Sequence, residues 1–195
     1  MGTLNRWGVG LLNLLASEDI VKRDGAVQIA IHSIEKKGLA FWEPKRSVVC
    51  IHHDDVHKVY FPYFIMEIYY KANTGPIKWR EARQLMAMEG LTGQVGAVIG
   101  IPCARTVGDP DAKIISPVFT DEEAANRITD YMKRYFVRTK RLIPEILHSH
   151  IFTLYKPAYI APLDFKVKGR VEHARKVVDA ESGYLVYRYD RYKEL

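Results

Sequence analysis

Two stretches decide the fold: Val59-Tyr60-Phe61-Pro62-Tyr63-Phe64-Ile65 and Leu154-Tyr155-Lys156-Pro157-Ala158-Tyr159-Ile160. Both read apolar-Tyr-x-Pro-x-aromatic-Ile. The first runs on through Met66-Glu67-Ile68-Tyr69-Tyr70 and is apolar on both faces. Such a run reads as a central strand covered on both sides. Pro62 cannot donate a ladder hydrogen bond, so it is expected at the strand's start or at a bulge.

The likeness extends outward. Met88-Glu89-Gly90-Leu91-Thr92-Gly93-Gln94-Val95 lines up with Val178-Asp179-Ala180-Glu181-Ser182-Gly183-Tyr184-Leu185. Both read apolar-acid-small-x-hydroxyl-Gly-x-apolar, and Ala82-Arg83 and Ala174-Arg175 precede them. A glycine supplies the positive φ that a tight hairpin turn needs. The acid and hydroxyl can hydrogen-bond turn backbone, so turn chemistry accounts for every position without catalysis.

A helix is predicted before each copy. Residues 17–37 carry Ser17 as N-cap and Ile20, Val27, Ile31 and Ile34 at helical spacing. Gly25 is a candidate break in it, and Lys36, Lys37 and Gly38 a C-terminus. The second helix opens on a capping box, Thr120 with Glu123. Ala125, Ile128, Met132, Tyr135 and Ile143 are expected on its buried side, with Pro144 ending it. Strands are expected over 47–51, 59–70, 83–88, 94–99, 152–160, 176–179 and 184–189. The fold class predicted is α+β: two tandem units, each a helix packed on an antiparallel β-sheet. The divisions are 1–16, an N-terminal segment, then repeats over 17–108 and 109–195, sharing one core or forming two domains.

These turn and strand motifs resemble the PepSY-type repeat. They are also similar to the repeat tails of uncharacterised bacterial proteins that carry an N-terminal zinc ribbon. The resemblance spans about two thirds of the chain and implies a non-catalytic binding or inhibitory module, usually extracytoplasmic. The sequence itself has no clear export signal and no zinc ribbon.

Composition limits the rest. The 195 residues are 48% hydrophobic and 27% charged, which excludes wholesale disorder. Two cysteines, Cys50 and Cys103, exclude a disulfide scaffold. No apolar run reaches the length of a membrane span. Residues 1–16 are expected to pack on the domain, with peripheral membrane contact as the alternative. The expected compartment is the cytoplasm. The formal charge is +6, and most of it lies in one place: residues 127–141 hold six basic side chains against Asp130 alone.

Three candidate sites follow. Arg127, Arg134, Arg138 and Arg141 fall within about 60° of one another on an ideal helix, beside Tyr131. Four guanidinium forks on one face suit an acidic ligand or nucleic acid. Cys50, His52, His53, Asp55 and His57 are the densest metal-capable set, with zinc the metal in view, yet they match no established ligand spacing. His53 and His148 each lie seven residues before a repeat tyrosine. Cys103, near Arg105, is a candidate thiol. The abundant tyrosines suggest a protein partner or a homodimer. No nucleophile elbow, Walker loop or dinucleotide fingerprint is present. The leading function is a non-catalytic binding or regulatory module using the sheet surface or the seam between repeats. The alternatives are an acidic-ligand or nucleic-acid binder, and a metal- or thiol-dependent enzyme.

Overall fold

The computed structural model of the chain describes residues 20–35, 46–73, 79–98 and 113–186, and the backbone of 14–17 and 104–107. In order the elements are β1 (Leu14–Ser17), α1 (Arg23–Glu35), β2 (Arg46–Ile51), β3 (His57–Asn73), β4 (Trp79–Glu89) and β5 (Val95–Ala97). β6 (Ala104–Val107), β7 (Lys113–Ile114), α2 (Asp121–Lys140), β8 (Glu145–Val167) and β9 (Arg170–Asp179) follow. All nine strands join one sheet, which curls into a half-barrel.

The tandem arrangement is therefore corrected. The two motif copies do not seed two sheets; they pair with each other. β3 runs antiparallel to β8 from His57 opposite Ile160 to Lys71 opposite Glu145, with an irregularity between Tyr69 and Tyr70. Tyr60 faces Pro157, Pro62 faces Tyr155, and Phe61 faces its own counterpart, Lys156. An internal two-fold axis thus passes through the Phe61–Lys156 pair. β4 flanks β3 and β9 flanks β8.

The helices are exchanged across that axis. α1, from the first copy, buries Ala26, Val27, Ala30 and Ile34 against Ala161, Leu163 and Phe165 of β8 and Val178 of β9. α2, from the second copy, buries Ala124, Ile128, Met132 and Phe136 against Phe64, Met66 and Ile68 of β3 and Met86 and Met88 of β4. Their lead-in segments dock likewise. Ile20 and Val21 donate to Ala180 O at 2.8 and 2.7 Å, and Val118 donates to Gly90 O at 2.9 Å. Both helices lie on one face, since even residues of β3 and odd residues of β8 share it. Behind them Val59, Phe61, Ala158, Ile160 and Val177 form an apolar centre on the helix-free face.

Pro62 and Pro157 sit inside strands rather than at their starts. A residue's N–H and C=O point to the same side of a strand. Pro62 O accepts from Gly90 N at 2.8 Å and Pro157 O from Ala180 N at 3.0 Å. Each missing N–H therefore faces a hairpin turn, and the β3–β8 ladder loses nothing. In those turns Gly93 and Gly183 both have φ +71°. Glu89, 2% exposed, accepts from the Thr92 backbone and hydroxyl, and Asp179 accepts from Glu181 N and Ser182 N.

Both helices depart from their expected limits. α1 starts at Arg23, leaving Ile20 75% exposed, and it runs through Gly25 unbroken. In α2 Tyr135 is 46% exposed and Phe136 is buried in its place. Ile143 lies beyond the helix, which ends where Arg141 takes φ 53°. The expected strand 184–189 shows a single bridge, Val178 to Leu185; residues 187–195 lie outside the described set.

Candidate functional site

α2 carries the basic stripe, and its ends explain its form. Thr120 Oγ1 accepts from Glu123 N at 3.2 Å, and Glu123 Oε2 accepts from Thr120 N at 2.9 Å. The Thr120 backbone and hydroxyl donors, with Arg127 nearby, hold the Glu123 carboxyl below its usual range. Acids occupy the first turn, and Arg138 and Lys140 the last, as the helix dipole favours.

The four arginines are not equivalent. Arg127 lies over the Phe119 ring, 4.4 Å from its centroid, beside the Gly93 turn. Arg134 and Arg138 project from the exposed side of the helix. Arg141 is the left-handed C-cap, its N–H donating to Phe136 O, so it leaves the helical row while remaining exposed. Among the described residues none pairs ionically with Arg134, Arg138 or Arg141. Tyr131, 41% exposed, and Tyr135 stand one turn apart along the flank of this row.

The metal-capable set is not brought together. Cys50 lies on β2 and His52 just beyond its end, while His53 and Asp55 form a single 3₁₀ turn, and all four are exposed. His57 Nδ1 is engaged by the Asp55 carbonyl at 2.7 Å. Among the described residues no three His, Cys, Asp or Glu side chains form a group that could hold a metal ion. Cys103 lies outside the described residues, as do residues 1–13.

The sheet builds a different cluster, joining His52 to two residues that the sequence did not single out. Asp164 of β8 lies opposite Cys50 of β2 and His173 of β9. It alternates with buried Leu163 and Phe165, so it points away from α1. His173 Nδ1 approaches Asp164 Oδ1 at 2.5 Å, and His52 Nε2 approaches Oδ2 at 3.3 Å. The hydrogen bond from His173, supported by His52, holds the Asp164 carboxyl below its usual range. The three line a shallow depression of about 470 Å³ with Arg175 and Lys176.

The internal two-fold places a second cluster at the opposite end of the same face. There Tyr69 of β3 lies opposite Arg83 of β4 and His148 of β8. Tyr69 and His148 stack at 4.2 Å. Glu67 Oε1 accepts from the Tyr69 hydroxyl at 2.9 Å and pairs with Arg83. The Glu67 hydrogen bond, chiefly, raises the Tyr69 pKa. Carrying the two motif registers outward without gaps matches Tyr69 with Asp164 and Arg83 with His173, in place of the match of Ala82-Arg83 with Ala174-Arg175. That register, not the seven-residue spacing of His53 and His148, relates the two histidine-bearing regions.

At the axis the symmetry is broken by one residue. Lys156 Nζ lies 2.5 Å from Asp179 Oδ2 and 3.3 Å from Glu181 Oε2. Burial works against its charge, but the hydrogen bond and charge of Asp179, with Glu181, prevail and raise its pKa.

No protein-family model matches the chain, and no curated protein or solved structure does. No helix among the described residues is long and apolar enough to cross a membrane.

Proposed function

We propose that this chain is a non-catalytic binding module that holds an anionic ligand on the exposed face of α2. One observation carries the reading: Arg134, Arg138 and Arg141 stand exposed without an ion-pair partner among the described residues. An arginine fork pairs bidentately with phosphate or carboxylate and stays charged at every working pH. The PepSY-like resemblance, in the turns and strands, points to the same broad class. In this reading the protein acts in the cytoplasm, and the sheet serves as the platform that fixes α2.

Inorganic polyphosphate is the direct probe. Affinity should fall steeply with salt, since releasing counterions drives such binding. Changing Arg134, Arg138 and Arg141 together to Ala should weaken it by roughly threefold to a hundredfold, at a few tenths to 1 kcal/mol per exposed charge. Salt-insensitive binding, or a triple variant that binds like the parent, overturns the proposal.

A further inference from the structure

Resting on the anion-binding reading, we infer that the ligand of α2 is single-stranded nucleic acid, its phosphates on Arg134 and Arg138 and its bases on Tyr131 and Tyr135. Charge alone would suit any polyanion. The aromatic pair narrows the choice. Tyr131 and Tyr135 are 41% and 46% exposed, each presenting an apolar ring with a polar tip to solvent. They are four residues apart, so their side chains spring from points about 6 Å apart along the helix axis. Arg134 and Arg138 have the same four-residue spacing on the adjoining strip.

The two rows therefore run side by side, one cationic and one aromatic. A nucleic acid strand has the same two-row character, phosphates along one edge and flat bases along the other. Stacking of bases on aromatic rings is indifferent to sequence, because every base has a π-face. A duplex hides those faces in its own stack, so the accessible form is single-stranded.

A membrane is a poorer fit. A helix that lies in a bilayer sinks its apolar face. The apolar face of α2, Ala124, Ile128, Met132 and Phe136, is already buried against β3 and β4. An acidic protein segment would satisfy the arginines but gives two tyrosine ring faces no planar partner.

Fluorescence anisotropy on the full chain tests this with four probes: a labelled oligothymidylate, polyphosphate of matched charge, polyglutamate, and vesicles of phosphatidylserine in phosphatidylcholine. The oligonucleotide should bind tightest. The double variant Tyr131→Ala/Tyr135→Ala should lose roughly tenfold or more toward the oligonucleotide, since each stacked base counts for a several-fold change. Its affinity for polyphosphate should be unchanged. Tyr131→Phe/Tyr135→Phe should retain stacking. Arg134→Ala/Arg138→Ala should weaken both probes. Arg134, Arg138 and Tyr131 are exposed and Tyr135 touches the core only edge-on at Phe136, 5.9 Å between ring centroids, so the variants should stay folded and melt within a few degrees of the parent.

If the tyrosine variant binds the oligonucleotide like the parent, the nucleic-acid inference fails while anion binding stands. Tighter binding to vesicles or to polyglutamate also overturns it. If the parent binds none of the four probes at low salt, the anion-binding reading falls with it.

Discussion

Gly90 has no room for a side chain. A Cβ there would lie 2.8 Å from both the oxygen and Cγ of Pro62. The Gly90 N–H donates to that same oxygen, so the turn cannot back away without losing the bond. Gly90→Ala is expected to cost about 1–3 kcal/mol, as overpacking does, read as a lower urea midpoint. Gly96, with nothing within 4 Å of its Cβ position, is the control. Asp164 gives a pH-dependent expectation. Its folded pKa is lowered by His173 and His52. The stability it contributes is therefore present above the unfolded carboxylate value and is lost as pH falls through the folded one. Asp164→Asn should be less stable than the parent near neutrality, and the gap should close between about pH 5 and pH 2. A gap that stays constant with pH would remove the histidine pairing as its cause. Asp164 and His173 were illegible as a site because residues 52, 164 and 173 meet only through strand register.

α2 carries the fullest helix signature in the sequence, and its buried face departs from that signature at one ring. The capping box at Thr120 and Glu123 is present in both halves. The buried stripe includes Ala124, with Ala125 packed at its margin as expected, and takes Phe136 in place of Tyr135. Ile128 and Met132 belong to both stripes, so spacing alone could not choose. Ile143 weighted the choice wrongly, because the helix stops at Lys140. As a result Tyr135 joins Tyr131 on the surface. Met132→Ala is expected to cost about 2–5 kcal/mol, the range for emptying a buried site, whereas Tyr135→Ala should leave the urea midpoint nearly unchanged. Thr120→Ala should cost about 1 kcal/mol through the lost cap. Equal effects at 132 and 135 would mean that the helix faces the other way.

For the whole molecule, the repeat was legible but its wiring was not. Residues 59–65 and 154–160 declare themselves as strands by composition. Composition does not say that they pair with one another, nor that each helix crosses to the other copy's strands. The exchange has a direct test. A fragment of residues 1–110 keeps β3 and β4 but lacks α2, which covers them. A fragment of residues 111–195 keeps β8 and β9 but lacks α1. Each alone should show little chemical-shift dispersion, and mixing them should restore the native spectrum. A half that unfolds cooperatively by itself would contradict the shared core.

The Phe61–Lys156 pairing also sets a timetable. These partners are 95 residues apart, and closing so long a loop costs entropy before any contact repays it. At a synthesis rate of about 5–20 residues per second, β3 waits roughly 5–20 s for β8 to be made. Throughout that wait a seventeen-residue strand rich in tyrosine and phenylalanine has an open edge. Nascent chains stalled near residue 130 should therefore be protease-sensitive across 57–73 and should recruit holding chaperones. Chains released at full length should do neither.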